Sequence, residues 1–163
     1  MNRQDQLCIK MIEWNQADPK RIQHFLKVHS FAALIGHGEE IPEEKQEILE
    51  AAALVHDIGI RPAEEKFGQC GGKLQEQEGP EPARKMLLEC GYSEAQAERV
   101  AYLVGHHHTY DAIDDIDYQI LVEADFLVNL YEDDASVEMA SRAMERIFKT
   151  KTGIQICRTQ FNM

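Results

Sequence analysis

The feature that most constrains this sequence is a histidine–aspartate pair that follows an apolar helical segment. Residues 48–55 are mostly apolar and lead directly into His56 and Asp57, and Gly59 comes two residues later. Imidazole nitrogens and carboxylate oxygens are both good ligands for divalent transition-metal ions. A buried carboxylate without a partner is costly, so Asp57 needs one. At this point two readings stay open: a metal site, or a solvated pair near the negative end of a helix dipole.

Apolar periodicity predicts an all-α fold. Apolar residues recur three and four positions apart in one segment after another, and no convincing strand-like alternation is present. Asp18 followed by Pro19 is typical of a helix start, and residues 93–96 resemble a capping box. We therefore expect seven helices, over about 4–14, 19–36, 42–55, 80–90, 94–104, 118–130 and 136–148.

Two segments give no clear helical signal. Residues 62–79 contain several glycines and glutamines but no apolar stripe, which predicts a long loop with one helical turn at most. Residues 154–157 near the end of the chain are predicted to add a single further turn. Long loops inside compact domains are often functional, so the first of these segments is a candidate for substrate contacts.

Length and charge limit the classes of function. We expect one domain over residues 1–163, because the chain is of ordinary domain size and contains no long linker. The formal net charge of −12 argues against broad binding of nucleic acids or anionic membranes. The longest uncharged apolar run is too short to cross a bilayer, and the first residues show no apolar signal segment. A cytoplasmic location is the resulting expectation, and the four scattered cysteines read as free thiols.

Polar residues interrupt four otherwise apolar helices. His24 lies among apolar neighbours, His56 and Asp57 end one helix, His106 and His107 end another, and Asp125 sits within a strongly apolar segment. Each of these residues alone has a plain explanation, such as a hydrogen-bonded core histidine or a buried ion pair. A shared cation would satisfy all of them together, and helix bundles build metal sites from inward-facing side chains in this way.

The order of these residues resembles that of the HD-domain superfamily of metal-dependent phosphohydrolases. The resemblance lies in Arg21-x-x-His24-x-x-x-Val28-x-x-x-Ala32, in His56-Asp57-Ile58-Gly59, in His107 after Val104, and in Glu123-Ala124-Asp125-Phe126-Leu127, and it covers about residues 21–129. It implies a helical bundle with one or two divalent ions between its helices. The ligands it implies are His24, His56, Asp57 and Asp125.

Two further ligand positions follow from the same resemblance. Many two-metal members add histidines between the HD pair and the final aspartate, but residues 76–80 contain none, so Glu78 is the expected oxygen ligand there. His106 or His107 would supply the other donor, and the helical spacing from Val104 favours His107. Mixed histidine and carboxylate ligation suits Mn, Fe, Co, Ni or Zn, and the sequence does not select among these metals.

The predicted activity is hydrolysis of a phosphate ester of a small metabolite or nucleotide. A bound divalent ion makes hydroxide available near neutral pH, and Asp57 is expected to bind the ion and to orient the attacking water. Arg61 is the predicted phosphate contact, and Lys66 or Lys73 is a weaker one. Two interpretations of Tyr110 stay open: a side chain that stacks on a base of the substrate, or one that closes an edge of the core.

Two other functions remain open at this stage. Some HD-type sites hold mixed-valence iron, which makes a di-iron oxygenase an alternative. The missing histidine near Glu78 favours a non-catalytic, metal-stabilised nucleotide-sensing module. The apolar residues of the last long helix also leave a homo-oligomer open.

Overall fold

A computed structural model describes residues 1–163 and shows ten α-helices and no strand, which confirms the all-α prediction. None of the helices is both long and apolar enough to span a membrane. In chain order the helices are α1 Arg3–Trp14, α2 Pro19–Gly38, α3 Glu43–Val55, α4 Ile60–Phe67, α5 Gly72–Glu78, α6 Pro80–Glu89, α7 Glu94–Val104, α8 Ile116–Glu132, α9 Val137–Ile147 and α10 Lys151–Gln160.

Local capping explains where the predicted helices begin. The side chain of Asp18 accepts a hydrogen bond from the backbone N–H of Arg21, and Pro19 occupies the first helical position of α2. Ser93 and Gln96 form a capping box at the start of α7. These side chains satisfy backbone N–H groups that have no partner inside a helix, so they fix the start of each helix.

The centre of the fold is formed by α2, α3 and α8. Helix α2 packs against both α3 and α8, and α7 covers α3 from another side. The last five residues of α3 are buried, and α8 is buried nearly all round through residues 117–125 and at Leu127 and Val128. Three polar donors, His24, His56 and Asp125, therefore lie inside an apolar core rather than at its surface.

The prediction of a long loop over residues 62–79 is wrong. Helices α4 and α5 occupy most of this segment, with Pro62 in the first turn of α4, where a missing backbone N–H is tolerated. Gly68 ends α4 in the left-handed conformation, at φ 69°. Only Ala63 is buried in α4 and no residue is buried in α5, so neither helix shows the apolar stripe that a sequence prediction requires.

The end of the chain also forms more helix than predicted. Helix α10 has ten residues, where the sequence predicted a single turn. The Thr150 side chain caps it by accepting a hydrogen bond from the backbone N–H of Gly153. Thr150 also donates its hydroxyl proton to Glu123, a buried carboxylate on α8, and this bond attaches the start of α10 to the core.

Candidate metal centre

Four of the predicted ligands converge in the core. His24 of α2, His56 at the end of α3, Asp57 in the turn that follows and Asp125 of α8 are all buried, and one ligand atom from each lies within 4.8 Å of the others. His24 Nε2 is 3.0 Å from Asp57 Oδ2 and 3.3 Å from Asp125 Oδ1. His56 Nε2 is 3.3 Å from the same two carboxylate oxygens.

The turn after α3 explains how two adjacent residues reach one point. Neighbouring side chains on an α-helix point about 100° apart, which separates their ligand atoms. Here α3 ends at Val55, and residues 56–59 form a turn before α4 begins. The backbone N–H of Ile58 bonds to the Val55 carbonyl, and that of Ile60 bonds to the Asp57 carbonyl. The tightened turn brings the Asp57 carboxylate back toward the His56 ring.

Hydrogen bonds to the outer ring nitrogens fix the tautomers of the histidines. His56 Nδ1 is 2.7 Å from the Ala53 carbonyl, and His107 Nδ1 is 2.8 Å from the Val104 carbonyl. Because a carbonyl oxygen only accepts, each Nδ1 donates its proton and each Nε2 is left with a lone pair when the ring is neutral. Such outward N–H donation is typical of metal-binding histidines.

The outer nitrogen of His24 also donates a hydrogen bond, in this case to a charged group. Its Nδ1 donates to Glu132 Oε1 at 2.6 Å, and Lys27 holds the other oxygen of Glu132 at 3.0 Å. His24 Nε2 lies only 3.1 Å from His56 Nε2. Two such nitrogens, both with lone pairs, repel one another unless a positive charge lies beside them.

The cluster fits a bound cation. Asp125 Oδ1 is buried and has no hydrogen-bond partner, although imidazole nitrogens of His24 and His56 lie 3.3 Å away. A buried carboxylate oxygen without a partner is costly. Nitrogen and oxygen donors surrounding such an oxygen form the ligand set that Mn, Fe, Co, Ni and Zn accept. The residues present therefore match a divalent transition-metal ion.

The pKa shifts show that the cluster favours positive charge at its centre. Burial lowers the pKa of His24, but the neighbouring carboxylates of Asp125 and Asp57 outweigh burial and raise the pKa to about 10. Burial raises the pKa of the Asp125 carboxyl, but His24 and His56 outweigh it and hold that pKa below its usual range. Without an ion the imidazoles keep protons beside ionised carboxylates. A metal ion would replace those protons.

Of the two histidines proposed as a further ligand, the structure brings His107 to the cluster. The His107 ring is fully buried, and its Nε2 lies 3.0 Å from Asp57 Oδ1. The adjacent His106 points elsewhere: its Nδ1 bonds to the Tyr102 carbonyl, and its ring stacks on Tyr102 with centroids 4.0 Å apart. His106 is therefore not brought to the cluster, because its ring is held against Tyr102 instead.

Glu78 also lies away from the cluster. It is the last residue of α5 and forms an ion pair with Lys66 of α4 at the protein surface. The residues of α5 that turn toward the site are Gln75 and Glu76. Gln75 bonds to the ring of His108, and Glu76 accepts from the His108 backbone N–H and the Thr109 hydroxyl. The prediction that Glu78 lies at the site is therefore not met, and Gln75 is the α5 residue that lines the pocket over the cluster.

The predicted substrate contacts lie outside the pocket that opens over the cluster. Arg61 donates to the Trp14 carbonyl and pairs with Glu65, Lys66 pairs with Glu78, and Lys73 is exposed. Tyr110 packs edge-on against Phe126, and burial, together with the charges of Asp125 and Glu76, raises its pKa to about 12. None of these four residues lines the pocket.

The pocket has a volume of about 380 Å³, and two cationic side chains line it. These are Lys20 and Arg21 at the start of α2, whereas the sequence predicted Arg61. Arg21 also pairs with Glu64 at 2.9 Å and with Asp18 at 3.4 Å. The pocket is lined by Asp18, Lys20, Arg21, His24, Asp57, Ile60, Gln75, His108, Asn129 and Glu132.

Sequence reasoning missed several residues at the site, and three of them contact the histidines: Gln75, His108 and Glu132. Glu132 follows Asp125 by seven residues, which places both on one face of α8, so helical spacing was a usable signal. His108 was visible only as the last member of a histidine run. Gln75 lay in the segment wrongly predicted as a loop, and no pattern in the sequence indicated its role.

Comparison with known proteins agrees with this geometry. The family model described as HD domain matches residues 21–130. A solved structure described as a predicted HD superfamily hydrolase from an uncultured Thermotogales bacterium is similar in fold, with a TM-score of 0.69 and 24% sequence identity. The similarity covers 96% of this chain and 83% of that one. No curated protein sequence matches the chain.

The chain belongs to the HD-domain family. The family match spans the segment from the start of α2 to near the end of α8, which includes all four converging ligand candidates. The resemblance seen in the sequence is therefore confirmed, as is the helical bundle that it implied.

Proposed function

We propose that the protein is a metal-dependent hydrolase that cleaves a phosphate ester of a small molecule. One observation carries the proposal: three imidazole nitrogens and two carboxylates converge at the floor of an open pocket that is bordered by two cations. The similar solved structure is itself described as a predicted hydrolase, which supports the same class of reaction. The ligands of the first metal position would be His24, His56, Asp57 and Asp125.

The chemistry at this position follows from the residues that surround it. When bound, a divalent ion supplies Lewis acidity that activates water and neutralises phosphoryl oxygens. Asp57 is the residue best placed to orient the attacking water, because its carboxylate lies at the edge of the pocket as well as in the cluster. Glu132 keeps the His24 ring in the tautomer that directs Nε2 inward.

The cations at the pocket mouth support a phosphorylated substrate. The whole chain is strongly acidic and repels anions at long range, so an anionic substrate needs local positive charge. Lys20 is exposed, and Arg21 is held in place at the pocket wall by Glu64. The guanidinium of Arg21 has five N–H donors, so those that do not bond to Glu64 can bond to a phosphate.

The first test measures hydrolysis of a panel of phosphate esters with Mn²⁺, Co²⁺, Ni²⁺, Zn²⁺ or Fe²⁺ added. Wild-type protein should hydrolyse at least one ester, and Asp57→Ala should abolish the activity. His106→Ala is the matched control, because His106 lies in the same region but outside the cluster. Absence of hydrolysis with every metal would contradict the proposal. Purified protein that contains iron and consumes oxygen would instead favour the di-iron oxygenase. A nucleotide that raises the melting temperature of the protein without being hydrolysed would favour the sensing module.

The phosphate contact is tested by a pair of arginine variants. Arg21→Ala should raise KM by about tenfold, equivalent to a charge-assisted hydrogen bond of roughly 1.4 kcal/mol. Arg61→Ala should leave KM nearly unchanged, since Arg61 does not line the pocket. If Arg61→Ala raised KM and Arg21→Ala did not, the phosphate contact would be Arg61, as the sequence predicted.

A further inference from the structure

We propose that the substrate is a small polyhydroxylated monophosphate ester, such as the phosphate of a sugar or a polyol, and that Asn129 binds one of its hydroxyl groups. The inference rests on the proposed function, because it names the class of phosphate ester that the same pocket takes. It also predicts that a nucleotide base adds nothing to binding, since the lining of the pocket offers a base no aromatic side chain to stack on.

The lining of the pocket over the metal centre is almost entirely polar. Small-molecule pockets are usually lined mainly by apolar and aromatic side chains. Here Ile60 is the single apolar residue among the ten that line the pocket, and none of the ten is phenylalanine, tyrosine or tryptophan. The volume of about 380 Å³ lies near the lower end of the roughly 300–1,000 Å³ that is typical of ligand pockets. The pocket therefore fits a small polar molecule.

The two imidazole rings in the lining are already engaged within the protein. His24 directs one ring nitrogen into the cluster and the other to Glu132. His108 packs against His107, with ring centroids 4.0 Å apart, and a Cβ added at Gly72 would lie 3.2 Å from the His108 ring. Stacking on an aromatic ring is the main way in which a protein gains affinity from a base without reading its edges. This pocket lacks a free ring for that purpose.

The surface beside the pocket gives a base no better place. A neighbouring cavity shares Asp18 and Arg21 with the pocket, and its other lining residues come from the α1–α2 connection and from α4. No aromatic residue lines this second cavity. Tyr110, the residue that the sequence suggested for stacking, packs against Phe126 and lines neither cavity. A base that extends from the pocket on this side would therefore lie in water or against charged side chains.

The charges of the lining fit one phosphate group rather than a chain of them. Lys20 and Arg21 are opposed by the carboxylates of Asp18 and Glu132, apart from the candidate metal ligand Asp57. These carboxylates repel additional phosphate groups, but a carboxylate oxygen accepts a hydrogen bond from a hydroxyl group. The side chain of Asp18 is 40% exposed and has lone pairs to spare for such a bond. The lining therefore favours a monophosphate whose remaining polar groups are hydroxyls.

Asn129 is the residue best placed to bind one of these hydroxyls. It follows Asp125 by four residues and precedes Glu132 by three, so it lies on the face of α8 that carries both. Gln75, the other amide in the lining, uses both ends of its amide on protein groups. Asn129 lines the pocket, and its amide bonds to no other group of the protein. An amide has two N–H donors and an acceptor oxygen, which match a hydroxyl that both donates and accepts.

The experiment uses two matched pairs of phosphate esters. Glycerol phosphate and propyl phosphate have the same carbon chain and differ in hydroxyls, and adenosine monophosphate differs from ribose phosphate by the base. With Mn²⁺-loaded wild-type protein, kcat/KM for glycerol phosphate should exceed that for propyl phosphate by about tenfold, because two hydroxyls lose their hydrogen bonds. The base should give no increase. Ligand-observed NMR titration of chelator-stripped protein should give the same order of dissociation constants without turnover.

A pair of variants tests the role of Asn129. Asn129→Leu keeps the size of the side chain and removes its amide, so it should weaken the binding of glycerol phosphate by about fivefold more than that of propyl phosphate. Gln23→Leu is the control, because Gln23 is an exposed amide of α2 that does not line the pocket, and it should retain the wild-type difference. The comparison of wild-type ligands stands even if the Asn129 variant fails to fold.

The outcomes separate this inference from the proposed function. Equal dissociation constants for glycerol phosphate and propyl phosphate, or tighter binding of adenosine monophosphate than of ribose phosphate, would overturn the inference. Hydrolysis of the nucleotide would in that case leave the proposed function standing. If no ester is hydrolysed, the proposed function fails, and the order of affinities for the stripped protein still decides the inference.

Discussion

The two walls of the site are built by different physical means. The long-helix wall consists of α2, α3 and α8, which carry His24, His56 and Asp125 within the buried core. The short-helix wall consists of α4, α5 and the turn after α7, which carry Gln75, His107 and His108. The first wall is positioned by apolar burial, and the second is positioned mainly by close backbone contacts and side-chain hydrogen bonds. Each wall should therefore be sensitive to a different kind of substitution.

The two walls bury very different numbers of apolar side chains. Fully burying one leucine, isoleucine or valine side chain stabilises a fold by about 1.5–3 kcal/mol, and α8 alone buries Ile120, Leu121, Val122, Leu127 and Val128. Helix α5 buries none of its residues. The long-helix wall should therefore keep its position without metal, whereas the short-helix wall should gain the most order when an ion binds.

The largest expected effect comes from removing the ligand with the unpartnered oxygen. Metal at about 100 times its dissociation constant should stabilise the wild-type fold by about 2.7 kcal/mol. Asp125→Ala should abolish this gain, because it removes a ligand of the long-helix wall. Urea denaturation with metal and with chelator measures the difference. His106→Ala should retain the full gain, and an Asp125→Ala protein that still gains stability would contradict the assignment of this ligand.

The next effect tests the backbone contact that positions the short-helix wall. A Cβ at Gly59 would lie 2.4 Å from the Gln75 carbonyl oxygen and 2.8 Å from the Gly79 nitrogen, both backbone atoms. Gly59→Ala should therefore destabilise the fold by about 1–3 kcal/mol and should increase hydrogen exchange in α5.

Gly71→Ala is the control for this prediction. A Cβ at Gly71 meets no atom within 4 Å, and its φ of −58° suits any residue. The change in stability should stay within about 0.5 kcal/mol. Equal effects of the two substitutions would show that α5 is not held by the Gly59 contact.

The smallest expected effect compares one glutamate from each wall. Glu132→Gln keeps an oxygen acceptor for His24 Nδ1 but loses the charge that strengthens the bond, so metal affinity should fall by about tenfold. Glu78→Gln, on α5 and paired with Lys66, should leave the affinity unchanged. Calorimetric titration with Mn²⁺ measures both. An equal loss in the two variants would mean that charge anywhere near the pocket matters, rather than the hydrogen bond to His24.

Sequence alone determined the long-helix wall. The apolar stripes of α2, α3 and α8 repeat over three or more turns, so the polar residues His24, His56 and Asp125 stood out as interruptions. Their order also identified the family, which the match over residues 21–130 confirms. The long helices were predictable because burial imposes a period on the sequence.

Only the tertiary structure decided the short-helix wall and the mouth of the pocket. Gln75 meets His108 across 33 residues of sequence, and Lys20 with Arg21, rather than Arg61, reaches the pocket. Helices of seven or eight residues with almost no buried face leave no period to detect. Their placement depends on contacts between distant backbone segments, such as Gly59 against Gln75, and such contacts carry no local sequence signal.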